Sequence, residues 1–294
     1  MELKLKPHQK SAIRKMHNGC ILCGGTGSGK SITGLAYYFI RNGGELEPMT
    51  KMKNPKDLYI ITTAKKRDSG EWLGDMSWFY LTPYDDSKIY DHKIVIDSWN
   101  NIKKYADVKN SFFIFDEQRV VGYGAWTKSF LKIAKSNEWI LLSATPGDNY
   151  MDYMPVFIAN GFYKNKSDFT AEHCVYSRFS KFPQIEKFIG TERLNRLRRR
   201  VLVDMPYQNP AIQHHEDVWC SFDREAYKTL MRDRWDYEKN EPIENVSELC
   251  YKLRKICYAD ESRAEALQNI FQQHNKLIVF YNFDYELEII KNID

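Results

Sequence analysis

Nothing in the 294 residues approaches the roughly 18 consecutive apolar residues that a membrane-crossing helix needs. The opening MELKLKPHQK also lacks the apolar core of a secretion signal. These absences lead us to expect a soluble, intracellular chain with a cytoplasmic setting. No internal repeat and no low-complexity tract occurs, which sets aside solenoids and compositionally disordered tails. Cysteine is sparse. Of six, only Cys20 and Cys23 form a C-x-x-C, with no second such pair, so a zinc site is not expected. Buried thiols on a strand in a reducing compartment account for them. No sign of charge dominates, because 43 basic and 39 acidic residues leave a formal +4. That balance permits nucleic-acid binding without arguing for it. His8, His214 and His215 have no visible acidic or metal partner and receive no role.

What is present suggests about two domains with ample core material, hydrophobic residues making up 43% of the chain. Short apolar runs recur at CILC (20–23), LYIITT (58–63), KIVID (93–97), FFIF (112–115) and WILLS (139–143). They do not alternate apolar with polar, and helix-compatible segments such as 31–41 and 125–136 separate them. Unbroken apolar strands alternating with helices indicate a parallel α/β sheet covered on both faces. A polar segment at 42–57, with Gly43, Gly44, Pro48 and Pro55, is expected to be a loop. After residue 146 the pattern turns helical and irregular over 150–200, and helical again over 224–239 and 244–274. KLIVFYNF (276–283) then returns to the pattern of a buried strand. A second α/β unit starts there by this reading and is cut short.

The run GCILCGGTGSGKSITGL passes from a strand pattern through glycines into a helix pattern. Gly24, Gly29, Lys30 and Ser31 fit G-x-x-x-x-G-K-[ST], the phosphate-binding loop. Backbone N–H groups wrap a phosphate chain only where side chains do not block the approach. The helix that follows offers its N-terminal dipole to the anion. Gly25, Thr26, Gly27, Ser28 and Gly29 are thus expected to cradle the phosphates, Lys30 to reach the β- and γ-phosphates, and Ser31 to place its hydroxyl on Mg²⁺. Asp116 and Glu117 follow the run FFIF, at the end of a strand where ligands of parallel sheets bind. Asp116 is placed to hold Mg²⁺ through water and Glu117 to orient and activate the attacking water. ATP and Mg²⁺ are the implied cofactors. Ser143 and Thr145, in LLSATP (141–146), are small hydroxyl residues ending the next strand.

Taken together, GGTGSGKS, DEQR and LLSATP resemble motifs I, II and III of superfamily-2 helicases and translocases, in the right order. The likeness extends to the Swi/Snf-type branch, the chromatin-remodeller-like DNA-dependent ATPases. LKPHQKSAI resembles the branch's glutamine motif, which implies that Gln9 reads the adenine edge. LYIITTAKKRDSGEW resembles motif Ia and IVIDSWNNI motif Ib, while LRRRVLVDMP is similar to a stretch near the end of the first lobe. ELCYKLRKIC and KLIVFYNFDYELEII resemble the start of the second lobe, including motif IV. The implied fold is a P-loop NTPase: a RecA-like first lobe over 1–206 with a helical extension after 146, then the N-terminal part of a second lobe over 207–294. The implied activity is ATP hydrolysis coupled to movement along DNA, duplex by preference, through backbone contacts that carry no sequence information. Thr62, Thr63 and Ser98 match the family's phosphate-gripping positions, and Lys65, with Lys66 and Arg67, could add counterion-release affinity. Serine 143 and threonine 145 would couple hydrolysis to motion. Trp72 and Trp99 read as core.

Two departures matter. Motif II ends in Gln118 and Arg119 rather than the commoner pairs. Nothing resembles motifs V or VI, where the family keeps its arginine fingers, and the arginine-rich run at 193–200 reads as a solvated helix end. An arginine finger is worth roughly 10³–10⁵ in rate, so the chain as given is expected to bind ATP and hydrolyse it weakly. A shortened form of a longer protein explains this more simply than a naturally short chain or a partner in trans. Competing readings are an ATP-binding scaffold and another superfamily-2 motor, either a strand-separating helicase or a restriction-type machine. A small-molecule P-loop kinase would leave LLSATP and Gln9 unexplained. The Lys-, Asn- and Tyr-rich composition suggests an AT-rich bacterial or phage genome.

Overall fold

The apolar runs become strands because each has helices to cover both its faces. The computed structural model describes residues 4–83, 92–117, 120, 122–179, 182–207, 214–274 and 276–293. The chain divides into two compact units, Met1–Pro210 and Ala211–Asp294.

The first unit begins with α1 (Pro7–Lys15), then β1 (Ile21–Cys23), α2 (Lys30–Arg41) and β2 (Leu58–Thr62). Two short helices follow, α3 (Ala64–Ser69) and α4 (Glu71–Ser77), then β3 (Ile94–Ser98) and a 3₁₀ helix (Trp99–Tyr105). The chain continues through β4 (Phe112–Asp116), α5 (Ala125–Ser136), β5 (Glu138–Ser143), α6 (Tyr150–Ala159) and α7 (Lys166–His173). An antiparallel pair, β6 (Cys174–Tyr176) and β7 (Ile185–Phe188), precedes α8 (Thr191–Val201) and β8 (Leu202–Asp204). Strands β1 to β5 and β8 form one six-stranded sheet in the order β3-β2-β4-β5-β1-β8. Every pairing in it is parallel, so the expected α/β parallel-sheet architecture is present.

Successive strand residues point to opposite faces, and the core accordingly falls into two layers. Leu22, Ile60, Phe112, Ile114, Ile140 and Leu142 pack under α1, α2 and α4, where Leu35, Tyr38, Phe39, Trp72 and Met76 are buried. Ile21, Ile61, Phe113, Phe115, Trp139 and Leu141 face the other way, onto Trp99, Phe130, Phe157 and Leu194. This second layer is dense in rings: Phe130 meets Phe115 at 5.1 Å and Trp139 at 5.0 Å, both edge-on. Phe130→Ala is expected to destabilise the first unit by about 3–5 kcal/mol through the cavity it leaves. Urea denaturation would report this as a lower midpoint at unchanged m-value.

The second unit holds α9 (Arg224–Asp233), a two-strand pair β9 (Trp235–Asp236) and β10 (Glu241–Pro242), α10 (Val246–Tyr258), α11 (Glu261–Gln273) and α12 (Asp284–Lys291). Its buried apolar cluster is small, formed by Leu230, Ile243, Leu249 and Leu253. The strand expected at 276–283 is not formed, and Ile278 and Phe280 are 82% and 91% exposed. An extended segment becomes a strand only against a neighbour that takes its backbone hydrogen bonds. The described residues of this unit offer none beside the short β9–β10 pair. Among the described residues no helix is long and apolar enough to cross a membrane.

Candidate active site

Strand order decides what meets what. β5 lies between β4 and β1, with Asp116 opposite Leu142, Leu142 opposite Leu22, and Ser143 opposite Cys23. The glycine loop leaving β1 and the carboxylates leaving β4 therefore share the carboxyl edge of the sheet, about 10 Å apart by strand spacing. The loop is tied to the intervening strand, since Gly24 N donates to the Ser143 carbonyl at 3.2 Å.

The loop turns into α2 through Gly29, whose φ of +83° lies in the left-handed region. A Cβ there would also collide with the Gln9 side-chain amide, so both conformation and space require glycine. Gly25, Thr26 and Gly27 are exposed and Ser28 is buried, leaving an open rim over a packed base. The Ser28 hydroxyl has no hydrogen-bond partner among the described residues. Lys30, the first residue of α2, donates from Nζ to the carbonyls of Gly24 at 2.7 Å and Gly25 at 3.0 Å. Burial lowers its pKa, while Glu117 and Asp116 oppose that and Lys66 reinforces it. Lys30, Asp116, Glu117 and Lys66 thus form one electrostatic cluster. Ser31 follows, half-buried in the first turn.

The Asp116 side chain is only 2% exposed, and its Oδ2 accepts from Thr62 Oγ1 at 2.8 Å and from Lys66 Nζ at 3.0 Å. Glu117 is 47% exposed, lies 3.5 Å from Lys66 Nζ, and has a φ of +56°. A non-glycine residue held in the left-handed region is uncommon and clusters at functional sites. The oxygen donors of Asp116 and Ser31 are the hard ligands that suit Mg²⁺. The cationic Lys66 at the same carboxylate shows that the position takes positive charge, so the donor set fits the ion.

Gln9 is buried, accepts from Lys6 N at 2.7 Å, and points Nε2 at the Gly29 carbonyl at 3.4 Å. In this arrangement its amide closes the start of α1 and braces the loop. Its neighbour His8, given no role from sequence, sits at the same place: the Ser28 carbonyl accepts from His8 Nε2 at 3.1 Å, and the ring lies 5.2 Å from that of Tyr207. Sequence reading missed both His8 and Tyr207. Adjacency to Gln9 was the available signal for the first, and none existed for the second, 199 positions further on.

The other expected positions separate. Thr62 is fully buried with its hydroxyl committed to Asp116, so it belongs to the carboxylate site and not to an outer rim. Ser98 is also buried, 3.4 Å from Arg67 Nη1. Thr63 caps α3 by accepting from Lys66 N, and Lys65 is exposed. Arg67 is spent on Asp68 at 2.7 Å and Asp97 at 3.2 Å. Ser143 is buried, and its Oγ accepts from Thr145 N at 3.1 Å, which fixes the turn leaving β5. Trp72 and Trp99 are core as expected, and Trp99 Nε1 donates to the Asp116 carbonyl at 2.8 Å. A cavity of about 160 Å³ beside it is lined by Thr63, Ala64, Ser98, Asn100 and the partly exposed Trp126, another residue that sequence reading missed. Gln118 and Arg119 lie outside the described residues. Within α8, Arg193 pairs with Glu172 and Arg200 covers the Phe162 ring.

This sheet order, with the glycine loop after β1 and the acidic pair after β4, defines a P-loop α/β fold of the RecA-like type. No protein-family model and no curated protein matches the sequence. Among solved structures the chain is similar to the Sulfolobus solfataricus SWI2/SNF2 ATPase core in complex with dsDNA. The TM-score is 0.54 at 15% identity, over 100% of this chain and 70% of that one. It also overlaps the Pyrococcus furiosus Hef helicase domain at a TM-score of 0.38 and 17% identity, over 59% of this chain and 41% of that one, which is too loose to argue from. At that identity the first likeness is one of fold.

Proposed function

We propose that this chain is an ATP-hydrolysing motor that moves along duplex DNA. One observation carries the reading: Lys30, Asp116 and Glu117 gather at one carboxyl edge of a parallel sheet. The exposed backbone of Gly25–Gly27 and the start of α2 would take the phosphate chain, with Lys30 leaving the loop carbonyls for the β- and γ-phosphates. Asp116 and Ser31 would hold Mg²⁺, which supplies charge neutralisation at the phosphoryl group. Glu117, the more exposed carboxylate, would orient the attacking water. Gln9 would reach adenine only by releasing Lys6 N and the loop.

DNA would lie along the rim beyond α3, where Thr63 and Lys65 offer phosphate contacts, the expected Ser98 being buried there. Thr62 is not among them. The dsDNA-bound SWI2/SNF2 core supports a duplex partner at the level of fold. An ATP-binding scaffold is the second reading. ATPase assays without DNA, with single-stranded DNA and with duplex separate the two. A motor should show duplex-stimulated turnover. Turnover indifferent to DNA would favour the scaffold.

A further inference from the structure

We propose that Lys66 is a built-in counter-ion of the Asp116–Glu117 pair and sets how much Mg²⁺ the chain needs to bind nucleotide. The inference rests on the reading of Asp116 as the Mg²⁺ carboxylate. Lys66 lies in α3, directly after β2, where Thr63 anchors its backbone at 3.2 Å. Its Nζ stands 3.0 Å from Asp116 Oδ2 and 3.5 Å from Glu117 Oε1. The side chain is 26% exposed, so these contacts are poorly screened. Asp75 also faces Lys66: burial raises the Asp75 carboxyl, Lys66 opposes this, and Asp116 adds to it. With a carboxylate on each side, Lys66 sits in the site as the cation of the pair.

An ammonium and a divalent cation cannot both hold one carboxylate oxygen at contact distance without mutual repulsion. Asp116 Oδ2 already receives Lys66 and the Thr62 hydroxyl. A divalent cation drawn to this carboxylate with nucleotide meets the Lys66 ammonium already there, and the repulsion between them would appear as weaker metal binding. Lys30 hydrogen-bonds the loop carbonyls instead, and the neighbouring Lys65 is exposed.

The test is nucleotide binding, not turnover. A fluorescent ATP analogue is titrated with Mg²⁺ on the parent chain, on Lys66→Met and on Lys66→Arg, with circular dichroism to verify folding. Lys66→Met keeps the apolar stem and removes the charge. The expected result is a half-saturating Mg²⁺ about tenfold lower, with nucleotide affinity at saturating Mg²⁺ unchanged. Tenfold corresponds to about 1.4 kcal/mol. Lys66→Arg should keep the parental requirement. An unmoved or higher Mg²⁺ midpoint in folded Lys66→Met overturns the counter-ion role while leaving the ATP site standing. Loss of nucleotide affinity at saturating Mg²⁺ also overturns it, by making Lys66 a phosphate ligand. Absence of any Mg²⁺-dependent nucleotide binding in the parent overturns the reading of the site and this inference with it.

Discussion

Lys30→Ala is expected to lower ATP turnover by at least about 10²–10³-fold, the typical cost of removing one preorganised donor from a developing charge. The lysine is held at the mouth of the loop by the Gly24 and Gly25 carbonyls. It is thereby ready to exchange two neutral acceptors for the charged oxygens of a triphosphate. Charge-assisted hydrogen bonds are roughly twice as strong as neutral ones, so the exchange favours nucleotide. The loss should appear in phosphate release and in equilibrium binding together, because the lysine would touch ATP before and during reaction. Turnover and affinity equal to those of the parent would strip the loop of its assigned role.

Glu117→Gln should behave differently. The amide keeps the size and shape of the side chain and removes its capacity to accept a proton. Turnover should fall about 10²–10⁴-fold, the usual range for a positioned acid or base, with ATP still bound. The bound nucleotide recovered after rapid gel filtration should therefore be mostly uncleaved. Glu117 has the geometry for the role: it follows the sheet edge directly, extends further into water than Asp116, and is held by a backbone angle glutamate seldom adopts. Hydrolysis at the parental rate would move the water-orienting role to another group.

Much of the first unit is legible in sequence because it is written in local patterns. FFIF and WILLS are apolar on both sides of the backbone, which only a sheet covered on both faces satisfies. The glycine loop is legible because its spacing is a backbone requirement. β8 was not, since three residues between an arginine run and Met205–Pro206 carry too little periodicity to stand out. The 276–283 segment misled for the opposite reason: its composition is that of a strand, but pairing is a property of neighbours. The partners of a motif residue were equally hidden. Thr62 carries the hydroxyl of a phosphate ligand, and only the adjacency of β2 and β4 reveals that Asp116 claims it. The same adjacency brings Lys66 to the acidic pair from 50 positions away.

The position of β1 has a consequence for the order of assembly during synthesis. Its two sheet neighbours are β5, which begins at Glu138, and β8, which begins at Leu202. The first strand made must therefore wait for more than a hundred residues before it gains any lateral partner, and longer for its second. Such distant pairings are slow to nucleate and leave nascent chains sticky in the meantime. No ligand of the glycine loop can help during that interval, because the loop hangs from a strand that has not yet been captured.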